Sequence, residues 1–172
     1  MEIPASTLSG VERQPQSRAV VWSRRGTLIL LLLFVLAGLA GVWGVHTVTA
    51  QGSGQGYDVA LRYAATARAG LDVPFEVTVS HPGGFPDDVT LQITGDYFDI
   101  FETQGFFPDP TDTTRDAETL YLTFAPPDGD TLVVSYDAYI QPSSQLGRDG
   151  TLAVVVAGET VASLDFRTVL LP

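Results

Sequence analysis

Two hydrophobic rhythms divide the chain. Beginning at Thr27-Leu28-Ile29-Leu30-Leu31-Leu32-Leu33-Phe34 the side chains are almost continuously apolar, and no charged residue stands between Arg25 and Asp58. An uncharged apolar run of about 18 residues or more reads as a membrane-spanning helix. Trp22 and Trp43 bracket this run, and the 21 helical steps between them cover roughly 30 Å. That length matches one hydrocarbon thickness, and tryptophan favours both interfaces. The pattern predicts a single span within residues 22–50, in contact with the lipid bilayer over residues 22–45.

From Tyr57 onward the period falls to two. Tyr57, Val59, Leu61 and Tyr63 alternate with polar or small residues, as do Phe75, Val77 and Val79, then Val89, Leu91 and Ile93. Further rows are Leu120, Leu122 and Phe124; Leu132, Val134, Tyr136, Ala138 and Ile140; Leu152, Val154 and Val156; and Leu164, Phe166 and Thr168. Alternation of this kind places one face of a strand in a core and the other in water. Ala69-Gly70, His81-Pro82-Gly83-Gly84, Pro126-Pro127-Asp128-Gly129-Asp130 and Gly147-Arg148-Asp149-Gly150 are turn chemistry between the rows. Gly158-Glu159 suits a two-residue type II′ hairpin turn. About seven short strands without a helical stretch predict a mainly β fold, an antiparallel two-sheet sandwich over residues 57–172.

The run Ala69-Gly70-Leu71-Asp72-Val73-Pro74-Phe75-Glu76-Val77-Thr78-Val79-Ser80, followed by Val89-Thr90-Leu91-Gln92-Ile93, resembles the opening strands of bacterial extracytoplasmic immunoglobulin-like domains. Gly129-Asp130-Thr131-Leu132-Val133-Val134 is similar to a later strand entry of the same domains. The chain as a whole is also similar to small single-pass membrane proteins of high-GC Gram-positive bacteria. The resemblance implies an immunoglobulin-like sandwich outside the cytoplasm and brings no catalytic residues with it. The paired cysteines and intervening tryptophan of antibody-type domains are absent.

Outside these two regions the sequence is sparse in pattern. Residues 1–21, rich in Gln, Ser, Pro and Arg, read as a disordered cytoplasmic tail. Residues 51–56, Gln-Gly-Ser-Gly-Gln-Gly, read as a flexible linker. Within the span, Ala37, Gly41 and Gly44 recur at i, i+4 and i+7, a small-residue face on which a second helix could pack. Val48-Thr49-Ala50 offers small residues for cleavage near Ala50, so the alternative to a retained signal anchor is a domain secreted after that cut.

Charge sets the orientation. Residues 1–26 carry four arginines against two glutamates, whereas residues 51–172 carry five arginines against eighteen acids, a net −13. Basic flanks stay cytoplasmic, which predicts the N-terminus inside and the β domain outside. A domain this acidic repels nucleic-acid phosphates, so no nucleic-acid partner is expected. On the same ground it is expected to stand off from an anionic lipid surface.

Candidate chemistry is thin. With no cysteine and two histidines, His46 and His81, neither a thiolate nor a His-based metal site is expected. No Gly-x-Ser-x-Gly elbow accompanies His81, so no enzyme and no cofactor are predicted. Asp109, Asp112 and Asp116 form a weak calcium candidate in a loop that lacks the turn glycine of an EF-hand. Tyr97, Phe98, Phe101, Phe106 and Phe107 place five aromatics in eleven positions, either as a plug in the sandwich or as a contact surface. The expectation is a non-catalytic, membrane-anchored interaction module acting through another membrane or envelope protein, as an accessory subunit. The alternative is a cell-envelope glycan-binding module that stacks sugars on the aromatics of 97–107.

Overall fold

The computed structural model describes residues 17–41, 44–102 and 104–171. The chain divides into two compact units, Met1–Val42 and Trp43–Pro172.

In the first unit a 22-residue helix, α1 (Arg18–Leu39), is long and apolar enough to cross a membrane, and none of it is buried. Ser17 caps its start by accepting a hydrogen bond from Val20 N. The helix therefore begins before Trp22 and takes in the end of the expected tail. The Arg25 guanidinium lies 6.0 Å from the Trp22 ring centroid, a cation–π contact. The helix stops at Leu39. Ala40 N bonds Leu36 O, Gly41 N bonds Gly38 O, and Gly41 takes φ +73°, the left-handed ending that glycine permits. This corrects the expected packing face: of Ala37, Gly41 and Gly44, only Ala37 is inside the helix, so the three share no helical face. Trp43, expected to mark the outer interface, lies outside the described residues.

The second unit is mainly β, with ten strands among the described residues: β1 (His46–Gly54), β2 (Tyr57–Arg68), β3 (Asp72–Ser80), β4 (Val89–Thr94), β5 (Phe106–Phe107), β6 (Asp112–Arg115), β7 (Thr119–Phe124), β8 (Thr131–Tyr139), β9 (Arg148–Val156) and β10 (Glu159–Leu171). A 3-10 helix (Gly95–Ile100) follows β4. The strands run in the order β5-β8-β3-β2-β10-β9-β4-β7-β6, with β1 also paired to β2. Every expected inward row is buried except for Leu120, which is half-buried.

The seven-stranded immunoglobulin-like sandwich gives way to a different closure. β10 is 13 residues long and bends at an irregularity between Thr160 and Ala162. Its first part pairs antiparallel with β9, and its last three residues pair parallel with Thr66, Ala67 and Arg68 of β2. One strand thus joins both halves into a single, mixed, strongly curled half-barrel sheet instead of two separate sheets.

The expected linker at 51–56 is also corrected. Gln51 to Gly54 complete β1, and Gln55-Gly56, both at positive φ (49° and 83°), form the hairpin turn into β2. The glycines serve close approach: a Cβ on Gly52 would collide with the Ser163 carbonyl oxygen, and one on Gly54 with that of Val161. The second hairpin, β9–β10, turns on Ala157-Gly158, again both at positive φ (52° and 81°). That is the type I′ signature, one residue earlier than the expected Gly158-Glu159.

Candidate functional site

The aromatic segment divides between core and surface. The 3-10 helix turns Tyr97 and Ile100 inward, and Phe101 follows them; Tyr97 is only 1% exposed. Its ring packs edge-on to Phe166 at 4.7 Å and against Phe75 at 5.8 Å. The Thr168 hydroxyl donates to Ala64 O at 2.7 Å, so the Tyr97 hydroxyl is the donor in its own 2.8 Å bond to Thr168. Burial holds the Tyr97 phenol well above its ordinary pKa, against the opposing pull of the Thr168 hydrogen bond.

Phe98 and Phe106 are half-buried. Together with Tyr136, Leu120, Asp99 and Arg115 they line a groove of about 620 Å³. It lies where the curled sheet fails to close: β5 and β6 end the two sides of the strand path, and only residues 108–111 connect them. The rings form a corner instead of a platform. Phe98 and Phe106 stand at 79° and Phe98 and Tyr136 at 72°. Burial also raises the Tyr136 phenol, whose hydroxyl donates to Glu102 O at 3.0 Å. Arg115 reaches Asp99 at 3.5 Å across the rim. Phe107 is 77% exposed, on the opposite face of its two-residue strand. Tyr97, Phe98, Phe101 and Phe106 therefore meet at steep angles and not as a coplanar row.

The aspartates of the calcium candidate are spread out. Asp112 opens β6 and Asp116 follows its end, about 13 Å apart along an extended strand. Both oxygens of Asp116 are engaged: Oδ1 accepts from Glu118 N and Thr119 N, and Oδ2 from the Tyr121 hydroxyl. These bonds hold its carboxyl below the usual range, the backbone pair first. Asp116 is thus the tie of the β6–β7 turn. Among the described residues no group of three or more His, Asp and Glu is placed to hold a metal ion.

His81 stacks on Tyr57, centroids 4.0 Å apart at 12°, and its Nδ1 lies 2.9 Å from Gly56 O. A carbonyl can only accept, so Nδ1 carries the proton. His81 therefore braces the β1–β2 turn, and His46 opens β1 opposite Thr66. Strand β1 and the brace at its turn escaped sequence reasoning. The one signal available was the spacing of Gly52 and Gly54 at i and i+2, which suits a strand pressed against another backbone.

No protein-family model matches this chain, and no curated protein matches it. What stands is an N-terminal apolar helix followed by a mainly β domain.

Proposed function

We propose that this protein is anchored once in the cell membrane by α1, presents its β domain outside the cytoplasm, and acts by contact with another membrane or envelope protein, as an accessory subunit without catalysis of its own. Arg18, Arg24 and Arg25, all in the N-terminal part of α1, support the orientation.

The observation that carries the retained anchor is β1. Six residues, 40–45, separate it from the end of α1, a connection that extends at most about 20 Å. Cleavage after Ala50 would remove His46–Ala50, five of the nine residues of β1, together with their pairing to Leu61–Thr66. A leader cut at that point would take part of the folded domain with it. The fit of α1 to a bilayer and the integrity of β1 favour the same reading.

Membranes from cells making the full chain test it, with alkaline carbonate extraction followed by intact mass and N-terminal sequencing. The expected result is a membrane-retained product of 18.4 kDa, with a C-terminal tag accessible to protease only from outside the cell. A soluble product beginning at Gln51 would overturn the anchor, and a tag accessible only from the cytoplasm would overturn the topology.

A further inference from the structure

The core of the β domain is unfinished in one place. β5 begins the strand path and β6 ends it, and the groove between them marks where the curl stops short of closing. Three apolar side chains, Phe98, Phe106 and Leu120, pack against the core there and yet stay half-buried. Leu120 is the member of the inward rows that no strand covers, because it lies one strand in from the open edge, opposite Arg115.

The backbone of β6 is open along the same seam. Asp116 N donates to Thr119 O at 3.0 Å, so the hydrogen-bonded positions of the β6–β7 hairpin fall on Asp116, Thr114 and Asp112. In an antiparallel ladder the intervening residues turn their N–H and C=O groups the other way. Those of Thr113 and Arg115 therefore face the side of β6 on which no strand follows. Their side chains lie on the inner face of the sheet, since Thr113 pairs with the buried Leu122 and Arg115 with Leu120. Both line the groove, and all four residues of β6 are exposed. An unfinished apolar corner thus adjoins unpaired backbone donors and acceptors, the two features that an added strand uses.

Charge narrows the choice of occupant. Arg115, the one arginine lining the groove, is already matched by Asp99 at 3.5 Å. Asp109 in the groove and Asp112 on β6 make no ion pair among the described residues. A second copy of the chain would set these carboxylates against their own kind and bring a second domain of net −13 over residues 51–172, so like-charge repulsion works against self-pairing. A segment bearing Lys or Arg meets both carboxylates without competition.

We propose that this seam binds an extended, basic segment of a partner protein, which pairs with the free edge of β6, sets apolar side chains against Phe98, Phe106 and Leu120, and places Lys or Arg beside Asp109 and Asp112. The proposal rests on the reading of the β domain as a contact module and gives that contact a place and a chemistry. The pattern of the segment follows from strand geometry. Every second side chain of an added strand enters the groove, and those between them face outward with Asp112 and Thr114. Main-chain bonds to Thr113 and Arg115 supply affinity, and the groove and the carboxylates supply selection. A groove of about 620 Å³ is of the size that holds a few side chains, within the usual range of binding clefts.

The probe is a short dye-labelled peptide of alternating valine and lysine, titrated by fluorescence anisotropy into the full-length chain in a neutral detergent; its counterpart alternates valine with glutamate. Thr113→Pro removes an N–H that takes no part in the β6–β7 ladder, so it blocks the edge and leaves the hairpin. The expected result is saturable binding of the valine–lysine peptide and binding of the valine–glutamate peptide about tenfold or more weaker. Thr113→Pro and the Asp109→Asn/Asp112→Asn pair should each weaken the first peptide by about tenfold. Glu159→Gln, on β10 four strands from β6, should leave it unchanged within about twofold. Indifference to Thr113→Pro, or an equal loss in Glu159→Gln, overturns the seam in favour of attraction by net charge alone. Photoreactive residues at Thr113 and Thr160, in the native membrane, separate the seam from the reading beneath it. The expected adduct joins another protein at Thr113 and not at Thr160. An adduct at Thr160 alone keeps the contact module and overturns the seam, and an adduct of two copies of the chain overturns the basic partner. No adduct at either position overturns the contact module, and the seam with it.

Discussion

Replacing Thr168 by valine, which keeps the shape and removes the hydroxyl, tests how the curled sheet is held at its joint. Thr168 is 1% exposed and, tyrosines apart, is the one buried polar side chain among the described residues. It sits on β10 just before that strand meets β2, donating to Ala64 O and accepting from Tyr97. The valine variant leaves a buried phenol and a buried carbonyl without partners. At about 1–3 kcal/mol for an orphaned buried group, relieved in part by local relaxation, the cost is about 2–4 kcal/mol. Tyr97→Phe removes the donor and leaves the Thr168–Ala64 bond in place, so it costs about 1 kcal/mol. The two changes are not additive: once the phenol is gone, valine at 168 orphans only the carbonyl. The double variant should fall short of the sum by about 1 kcal/mol or more. Guanidinium unfolding of the full chain in mild detergent, followed through the near-ultraviolet dichroism of its tyrosines, reads all three. A Thr168→Val cost within about 0.5 kcal/mol of zero, or strict additivity with Tyr97→Phe, would refute the joint as described.

Three further outcomes are expected. Gly52→Val should destabilise the domain by about 1–3 kcal/mol through overpacking against β10 and should raise hydrogen exchange along β1; a silent substitution would mean that β1 does not lie on Ser163. Leu91→Ala, fully buried on β4, should cost about 2–5 kcal/mol, whereas Gln92→Ala on the other face should stay within about 0.5 kcal/mol; equal unfolding midpoints would invert the strand phase. Because burial raises the Tyr97 pKa above the ordinary 10.0, its contribution is fully present below pH 10 and is lost as the pH rises beyond it, where the unfolded chain ionises first. Stability measured across that alkaline range should fall less steeply in Tyr97→Phe than in the parent.

The parts of the fold legible in the sequence were those with an apolar face to reveal them. The rows on β2, β3, β4, β8, β9 and β10 announce their burial by alternation. β1 does not, because no residue of His46–Gly54 is fully buried and its role is backbone pairing, which glycine and serine serve without leaving a hydrophobic trace. β5 and β6 are too short to carry a period. The end of α1 was hidden because Gly41 reads equally well as a packing residue and as a helix stop; its positive φ decides for the stop. For the aromatic segment, composition marked the residues but could not divide them, since a 3-10 helix brings Tyr97 and Phe101 inward and leaves Phe98 at a groove.

The joint between β10 and β2 also bears on how the domain comes to be folded. Thr168 and Ala64 stand 104 residues apart in sequence, and the half-barrel is one sheet only when they meet. Non-local pairing of this kind is slow to form, so the early strands must wait for β10 before the sheet can close. Under the proposed topology, in which the β domain crosses the membrane after α1, that delay would keep the sheet open until β10 had also arrived.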